Sequence, residues 1–384
     1  MLFRALFLFA FPWLLGSGCA APTPSAGLSE PAERRLFIIG QDLDAIRGYT
    51  QSNCCPAADG TTAYVSLYNV LSEELTWGGL GLSKDGKPTT VEADWGGGPS
   101  NAYTTATEFD VDYLAIGLSL VESWHPGALN RVLVGGYDAE IDRLALFAEE
   151  VDRKILLRIG YEFDGYWNDG YGDAQRYTEV WRYIVDRLRS QGADRIEYVW
   201  QGAASTTDMV LDGGRHDNIR DWYPGDDYVD WLGISWFMHP EETTTLPYDF
   251  DVLTPRQLSD EVLALAREVG KPVLIAEAAP QGYDLRELTS AHHVGLWDGP
   301  AGTGRQVVTA EHIWANWFEP MFDYMNDNRD VIRGLAYINI RWDDQDLWDA
   351  PYESGYWGDT RVEANPDIAR RFTAAINTWR NIDE

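Results

Sequence analysis

Cysteine is scarce in this chain, and its scarcity excludes two classes of protein. The 384 residues contain three cysteines: Cys19 near the N-terminus and the adjacent pair Cys54 and Cys55. This arrangement provides neither a disulfide framework nor a zinc site of the CxxC kind. Two alternatives stay open for the adjacent pair, a strained vicinal disulfide or two free thiols.

Basic residues are also scarce. The chain has 30 Lys and Arg against 61 Asp and Glu, which gives a formal net charge of −31. So acidic a protein does not attract nucleic acid or an anionic membrane, and we expect neither as a partner. Aromatic residues, in contrast, are abundant, with 17 Trp, 20 Tyr and 13 Phe. A disordered acidic polymer would lack them, so the chain is predicted to fold.

Long apolar runs are missing as well, since no stretch reaches the roughly 20 residues of a membrane-spanning helix. The first fifteen residues, MLFRALFLFAFPWLL, carry one Arg and a short apolar run broken by Pro, a pattern typical of a secretory signal. We assign residues 1–21 to this signal segment, residues 22–33 to a flexible Pro/Ser/Ala-rich linker, and residues 34–384 to a single domain.

Processing of the signal segment has two alternatives. Cys19 follows Gly-Ser-Gly and resembles the lipidation site of a bacterial lipoprotein, whereas Ala20 and Ala21 would suit ordinary cleavage. The first outcome gives a membrane-anchored lipoprotein of the periplasm or cell surface, and the second a secreted protein. In either case we expect a monomer.

Short apolar runs alternate with helical patterns along residues 34–384. In residues 173–188, apolar side chains recur at i, i+3, i+4, i+7, i+8 and i+11, which is one face of a helix. Residues 138–151, 258–269 and 313–325 repeat the pattern, with Asp138 as expected N-cap and Gly270 as expected stop. Eight runs read as parallel strands buried on both faces: 36–40, 64–68, 113–118, 155–159, 197–200, 231–236, 273–277 and 335–340.

Strands that alternate with helices predict an α/β fold with a parallel sheet, and eight such units predict a (β/α)8 TIM barrel. A doubly wound open sheet would carry a glycine-rich phosphate loop after the first strand, and FIIGQDLDAIRGY contains no GxGxxG.

Two glutamates follow predicted strands at the end where a barrel carries its functional groups. Glu162 follows the fourth run, and Glu277 ends the seventh run in KPVLIAEAAP. A paired acid and carboxylate suits glycoside hydrolysis, in which one group protonates the leaving oxygen while the other attacks the anomeric carbon. The structural alternative is that each glutamate simply pairs with an arginine such as Arg158 or Arg341.

Aromatic residues follow the same strands, where loops would form the mouth of the barrel. Their flat faces suit the apolar faces of sugar rings, and neighbouring Asp, Asn and His suit the hydroxyls. The alternative for any one of them is a core position. The expected sugar-binding residues of this kind are Trp124, His125, Trp167, Trp236, His239 and Trp342, with Tyr166 and Trp348 beside them.

The stretch RIGYEFDGYW, residues 158–167, resembles the strand-four motif of glycoside hydrolase family 26, which runs roughly R-P-x-H-E-x-N-G-x-W. Arg158, Glu162, Gly165 and Trp167 match that motif. GGYDAEIDRLALFAEE and RGLAYINIRW resemble the third helix and eighth strand of the family, so the resemblance covers most of residues 35–380. It implies a retaining (β/α)8 enzyme that acts without a cofactor.

The resemblance also implies individual roles. Glu162 would be the acid/base and Glu277 the nucleophile, Trp236 would replace an aromatic residue near the nucleophile, and Trp342 would form the floor of the −1 subsite. Tyr161 is a departure, because the residue before the acid/base is usually His. In the family that His contacts the substrate close to the cleavage point, so Tyr161 puts mannanase specificity in question and the chain resembles a divergent member.

The expected function is therefore that of a retaining endo-β-glycanase acting on an extracellular polysaccharide, a β-mannan or a related β-glucan or xylan. The first alternative is a non-catalytic carbohydrate-binding lipoprotein on a glycosidase-like barrel, and the second is a lyase or transglycosylase in the same cleft. We expect no metal. RWDDQDLWD clusters acidic residues without the spacing of an EF-hand, so a solvated or sugar-binding loop is favoured over calcium.

Overall fold

The structure is a computed structural model that describes residues 35–71, 79–83, 85–239, 251–291, 305–349 and 356–381. The predicted signal segment, the linker and Cys19 lie outside these residues. Within them, no helix is long and apolar enough to cross a membrane, and Cys54 and Cys55 are both free thiols.

Eight parallel strands close into a barrel, which confirms the predicted fold. Each strand pairs with its sequence neighbours, and the first also pairs with the eighth. The second and eighth strands begin three to four residues before the predicted runs, while the others nearly coincide with them. The strands are β1 Leu36–Gly40, β2 Gly60–Ser66, β3 Tyr113–Ser119, β4 Lys154–Ile159, β5 Ile196–Gly202, β6 Trp231–Trp236, β7 Val273–Ala278 and β8 Ile332–Ile338.

Helices surround the strands, as the alternating pattern predicts. They are α1 Leu43–Ser52, α2 Ala102–Glu108, α3 Ala128–Leu133, α4 Asp138–Val151, α5 Ala174–Ser190, α6 Thr206–Leu211, α7 Pro255–Val269, α8 Ala310–Ile313, α9 Glu319–Asp327 and α10 Pro366–Arg380. A π-helical turn, Trp314–Phe318, joins α8 to α9. Two small antiparallel sheets lie outside the barrel, Ala93–Asp94 with Pro99–Ser100, and Tyr283–Asp284, Thr289–Ser290 and Gln306–Val307.

The two predicted helix ends have different outcomes. Gly270 ends α7 in the left-handed conformation at φ +68°, as predicted. The prediction that Asp138 caps α4 is wrong, because Tyr137 holds the N-cap position and Asp138 is the first helical residue. The Asp138 carboxylate instead accepts hydrogen bonds from Tyr183 and Arg187 of α5, so it joins two neighbouring helices.

Alternation along the strands separates an inner core from an outer one. In β1, Leu36 and Ile38 pack with residues of the other strands inside the barrel, while Phe37 and Ile39 pack against the helical layer. The inner cluster also contains Leu156 of β4 and Leu274 of β7. Because both faces of each strand are buried, the runs read as continuously apolar in the sequence.

A bulge in β7 sets the direction of Glu277. Ile234 of β6 is opposite Ile275, but the next residue, Ser235, is opposite Glu277, so Ala276 is an extra residue in the ladder. The ladder with β8 shifts over the same residues. Regular alternation from Leu274 would turn Glu277 toward the helices, and the bulge turns its carboxylate toward the barrel axis instead.

Candidate active site

A cleft of about 280 Å³ opens at the carboxyl ends of the strands. Its residues come from the strand ends and following loops of every strand except β3, which only this end of the fold brings together. The cleft is lined by Gln41, Tyr64, Trp95, Tyr161, Glu162, Trp167, Ala203, Ala204, Ser205, Ser235, Trp236, Phe237, Met238, Pro255, Glu277, Gln281, Ile338, Trp342, Trp348 and Trp357.

Glu277 is buried and surrounded by hydrogen-bond donors. Its Oε1 lies 2.9 Å from Nη1 of Arg158 and accepts a hydrogen bond from the hydroxyl of Tyr64. Its Oε2 accepts from Nε2 of Gln201 at 3.3 Å and lies 3.4 Å from Oγ of Ser235. A buried cation and several donors stabilise the charged form of a carboxylate. The predicted arginine pairing of Glu277 is therefore real, and the same carboxylate also lines the cleft.

Glu162 lies across the cleft in a less polar environment. It follows β4 at φ +54°, a conformation uncommon outside glycine and concentrated at functional sites. Its Oε1 accepts a hydrogen bond from Oγ of Ser235 at 2.7 Å, and its Oε2 accepts from the indole Nε1 of Trp167 at 3.0 Å. The backbone carbonyl of Glu162 accepts from Nδ2 of Asn168 at 2.8 Å, which fixes the turn.

Ser235 links the two carboxyl groups. Because its Oγ lies 2.7 Å from Oε1 of Glu162 and 3.4 Å from Oε2 of Glu277, those two carboxyl oxygens are at most about 6.1 Å apart. This limit accommodates the roughly 5 to 5.5 Å of a retaining glycosidase and is shorter than the roughly 6.5 to 9.5 Å of an inverting one.

The two carboxyl groups differ in electrostatic environment. Burial, followed by the nearby Glu277 carboxylate, raises the pKa of Glu162 to about 8, and the hydrogen bonds from Ser235 and Trp167 oppose this rise only in part. No cation is hydrogen-bonded to Glu162 in the described part of the chain, whereas Arg158 contacts Glu277 directly. The environment thus favours a protonated Glu162 near neutral pH.

Arg158 is held between two tyrosine rings. Its guanidinium carbon lies 5.0 Å from the ring centre of Tyr64 and 5.2 Å from that of Tyr161, and the two rings meet edge to face at 5.7 Å. Cation–π contacts of this kind partly replace the water that a fully buried guanidinium loses. Tyr161, the departure from the family motif, therefore packs on the cation that stabilises Glu277.

Tryptophans form one wall and the floor of the cleft. Trp342 is nearly fully buried, donates from Nε1 to Oγ1 of Thr360 at 3.1 Å, and packs against Trp357 with ring centres 4.6 Å apart. Trp348 meets Trp342 edge to face at 5.1 Å. Such a fixed aromatic surface beside two carboxyl groups suits a sugar ring.

The structure brings seven of the predicted site residues into the cleft lining and Arg158 directly behind it. The seven are Tyr161, Glu162, Trp167, Trp236, Glu277, Trp342 and Trp348. Trp236 also packs on Tyr324 of α9 at 4.8 Å and is 3% exposed, because the pleat turns it away from the barrel axis while Ser235 points inward.

Four predicted residues are not among those that line the cleft. One of them, Tyr166 in the loop after β4, is 61% exposed. Trp124 and His125 lie in the loop after β3, where Trp124 is 71% exposed and His125 packs on Tyr68 with ring centres 5.1 Å apart. His239 is half-buried and follows Met238, which does line the cleft.

Sequence reasoning missed three residues that contact the glutamates: Tyr64, Gln201 and Ser235. Tyr64 and Ser235 lie inside predicted apolar runs, and nothing in its run distinguishes an inward tyrosine from a core one. Gln201 directly follows the predicted run 197–200, in the part of β5 that extends to Gly202. A polar residue within a buried strand was the one available signal, and Gln201 and Ser235 carry it.

Acidic residues do not form a metal centre in the part of the chain that the structure describes, where no group of three or more His, Cys, Asp or Glu side chains is suited to hold an ion. In the RWDDQDLWD loop, Asp344 pairs with Arg341 at 3.2 Å.

An eight-stranded barrel with paired carboxyl groups at its mouth is the arrangement of the (β/α)8 glycoside hydrolases. Comparison with known proteins specifies the family. The model of glycosyl hydrolase family 26 matches residues 99–272. A β-1,3-xylanase of a Vibrio species is 34% identical over 348 residues, 90% of this chain and 65% of that protein. A β-1,3-xylanase of an Alcaligenes species is 34% identical over 354 residues, 92% of this chain and 66% of that protein.

These matches agree with the resemblance seen in the sequence: the chain is similar to glycoside hydrolase family 26, whose model matches residues 99–272. It spans just under two thirds of the length of the two curated relatives. Among solved structures, the catalytic domain of a family 26 endo-β-1,4-mannanase from Bacillus sp. JAMB-750 aligns with a TM-score of 0.51 and 15% identity, over 92% of this chain and 91% of that one. At that identity the likeness concerns the fold alone.

Proposed function

We propose that this protein is a retaining endo-β-glycanase that hydrolyses a neutral extracellular polysaccharide through Glu162 and Glu277. The observation that carries the proposal is the hydrogen-bonded arrangement in which Ser235 contacts both carboxyl groups while Arg158 contacts Glu277. Two carboxyl groups at this separation, one in each protonation state, are what a double displacement requires.

The proposed reaction begins with Glu162 protonated. Glu162 gives its proton to the glycosidic oxygen as the bond to the anomeric carbon breaks, and the Glu277 carboxylate attacks that carbon to form a glycosyl ester. Glu162, now ionised, then takes a proton from water, whose oxygen attacks the anomeric carbon and releases Glu277. Two inversions leave the anomeric configuration unchanged.

Each neighbouring residue has a part in this proposal. Arg158, Tyr64 and Gln201 hold the Glu277 carboxylate toward the anomeric carbon, and Ser235 can donate to either glutamate as charge moves between them. Trp342 forms the floor beneath the sugar, and Trp167 contacts both Glu162 and the cleft on the side of the leaving group.

For the substrate we propose β-1,3-xylan first. Support comes from the two relatives named β-1,3-xylanases, which match about nine tenths of this chain. Tyr161 in place of the usual His adds a reason to rank mannan lower. The net charge of −31 disfavours anionic, sulfated polymers, whose binding needs cations.

Location is part of the same proposal. The leader-like residues 1–21 support export, with Cys19 either lipidated or removed. Expression of the full chain and of Cys19→Ala in a bacterial host, followed by fractionation, distinguishes the two outcomes. An anchored lipoprotein loses its membrane association in the variant, and a freely secreted protein behaves identically in both forms.

The test of the proposed function is a hydrolysis screen against β-1,3-xylan, β-1,4-mannan and mixed-linkage β-glucan. Wild type is compared with Glu162→Gln and Glu277→Gln, which preserve side-chain size while removing the acid and the nucleophile. We expect release of reducing ends from β-1,3-xylan by wild type and losses of about 10³-fold or more in both variants. Binding of the polymers without any release of reducing ends would favour the non-catalytic carbohydrate-binding alternative.

A further inference from the structure

Three exposed aromatic side chains lie on the loops after β3 and β4, at the end of the barrel where the cleft opens. In the part of the chain that the structure describes, the exposed large aromatic residues are Trp124 at 71%, Tyr166 at 61% and Trp167 at 38%. Trp124 follows β3, and the other two follow β4, so all three lie at the carboxyl ends of adjacent strands. Clustered exposed aromatic surface is unusual on a monomer and is typical of a binding site.

The two loops that carry these residues are joined by hydrogen bonds. The backbone N–H of Glu122 donates to the carbonyl of Asp169 at 2.9 Å, and Oγ of Ser123 donates to Oδ2 of Asp169 at 3.1 Å. Trp124 follows Ser123 directly, and Trp167 precedes Asp169 by two residues. The two loops that carry the aromatic rings are therefore held together by hydrogen bonds and do not move independently.

The loop after β4 is anchored on its other side as well. The N–H of Tyr166 donates to Oδ1 of Asp208 in α6 at 2.6 Å, and the N–H of Ala203 donates to Oδ1 of Asp164 at 2.5 Å. A tethered backbone presents Tyr166 outward at little additional entropic cost on binding, which is what an effective binding surface needs.

Trp167 connects these loops to the cleft. Trp167 lines the cleft and donates to Glu162, the proposed proton donor to the leaving group. Tyr166 borders a neighbouring polar cavity that shares Ser205 with the cleft. Trp124 follows Ser123, whose hydroxyl donates to Asp169 in the same loop as Trp167. The contact between Trp167 and Glu162 assigns this pair of loops to the leaving-group side.

We propose that Trp124 and Tyr166 form an aromatic platform that binds the leaving-group side of a neutral polysaccharide chain, several sugars beyond the bond that is cleaved. The proposal rests on the proposed function, and it adds a binding site outside the cleft. Sugar rings present apolar faces that stack on such side chains, and the acidic surface of the protein disfavours a charged ligand.

The platform makes long chains better substrates than short ones. The test compares wild type with the double variant Trp124→Ala/Tyr166→Ala on long-chain β-1,3-xylan and on a short xylo-oligosaccharide of the same linkage. We expect the ratio of kcat/KM for the polymer to that for the oligosaccharide to fall about tenfold, since truncating an exposed aromatic anchor commonly weakens binding by about that factor. Leu146→Ala on α4, where the side chain is 60% exposed, is the matched control and should leave the ratio unchanged.

Two results would overturn the platform. One is an unchanged ratio of kcat/KM for polymer and oligosaccharide in the double variant, and the other is the same fall of that ratio in the Leu146→Ala control. Thermal unfolding of each variant shows whether a general loss of structure has occurred, and single variants at the two positions replace the double variant if it fails to fold.

Failure of the proposed function is distinguished by a binding measurement. If wild type hydrolyses none of the polymers, affinity electrophoresis in gels containing β-1,3-xylan still compares the mobility of wild type with that of the double variant. Retardation that the double variant loses supports the platform without catalysis. Equal mobility of the two proteins contradicts it.

Discussion

At the scale of single residues, the two carboxyl groups of the site differ in the groups that donate hydrogen bonds to them. Glu277 has Arg158 at 2.9 Å and the hydroxyl of Tyr64, whereas Glu162 has a serine hydroxyl and an indole N–H. Burial raises the pKa of Tyr64 well above its ordinary value, so its phenol remains a donor to Glu277 across the whole physiological range.

Ser235→Ala tests the electrostatics of Glu162. The Ser235 hydrogen bond lowers the pKa of Glu162 against the larger effect of burial, so its removal raises that pKa further. Because the general acid works only when protonated, activity falls as pH rises through the pKa of Glu162. We expect the basic limb of the kcat/KM profile to move to higher pH in Ser235→Ala, with a lower maximum. A basic limb that moves to lower pH would contradict the assignment of Glu162 as the acid.

Tyr64→Phe tests the environment of Glu277. The substitution keeps the ring that contacts Arg158 and removes only the hydroxyl that donates to the carboxylate. We expect kcat/KM to fall about 10- to 100-fold, in the range of a lost preorganised hydrogen bond. Tyr113→Phe, on β3 where the ring lies beside Lys154, is the control and should retain full activity. Equal activity of Tyr64→Phe and wild type would exclude a part for this hydroxyl.

At the scale of elements, the loop after β4 carries the proposed acid, its indole donor and the first exposed aromatic ring. Asp208 of α6 holds this loop through the N–H of Tyr166. We expect Asp208→Ala to reduce kcat/KM about tenfold by loosening the contact between Trp167 and Glu162. Asp208→Asn keeps an acceptor oxygen and should restore most of that loss. Equal losses in the two variants would mean that Asp208 acts otherwise than through this hydrogen bond.

The elements themselves were largely predictable, and their fine geometry was not. Buried parallel strands give continuous apolar runs and helices give a 3.6-residue pattern, so eight strands and the position of Glu162 followed from local sequence. The bulge at Ala276 could not be inferred, because it depends on the registers of β6 and β8. In β6, strand alternation turns Ser235 toward the barrel axis and Trp236 toward α9. From the sequence alone, the tryptophan was the expected substrate-binding residue of the two.

At the scale of the whole molecule, charge is the dominant feature. A net charge of −31 on a folded chain generates self-repulsion that salt screens over about 8 to 10 Å at physiological strength. We therefore expect the Tm to rise by several degrees between about 0.02 M and 0.5 M NaCl, measured by calorimetry at pH 7. A Tm that falls over this range would indicate that surface ion pairs such as Arg47–Glu108, at 2.8 Å, outweigh the repulsion.

The whole account turns on a double displacement by Glu162 and Glu277, and the anomeric configuration of the first product tests it most directly. Proton NMR during hydrolysis of β-1,3-xylan, read before mutarotation is complete, shows which anomer forms first. The proximity of the two carboxyl groups predicts that the β-anomer appears first and the α-anomer grows in later. Initial release of the α-anomer would contradict the account, because it would require a single inversion by a water molecule between the two carboxyl groups.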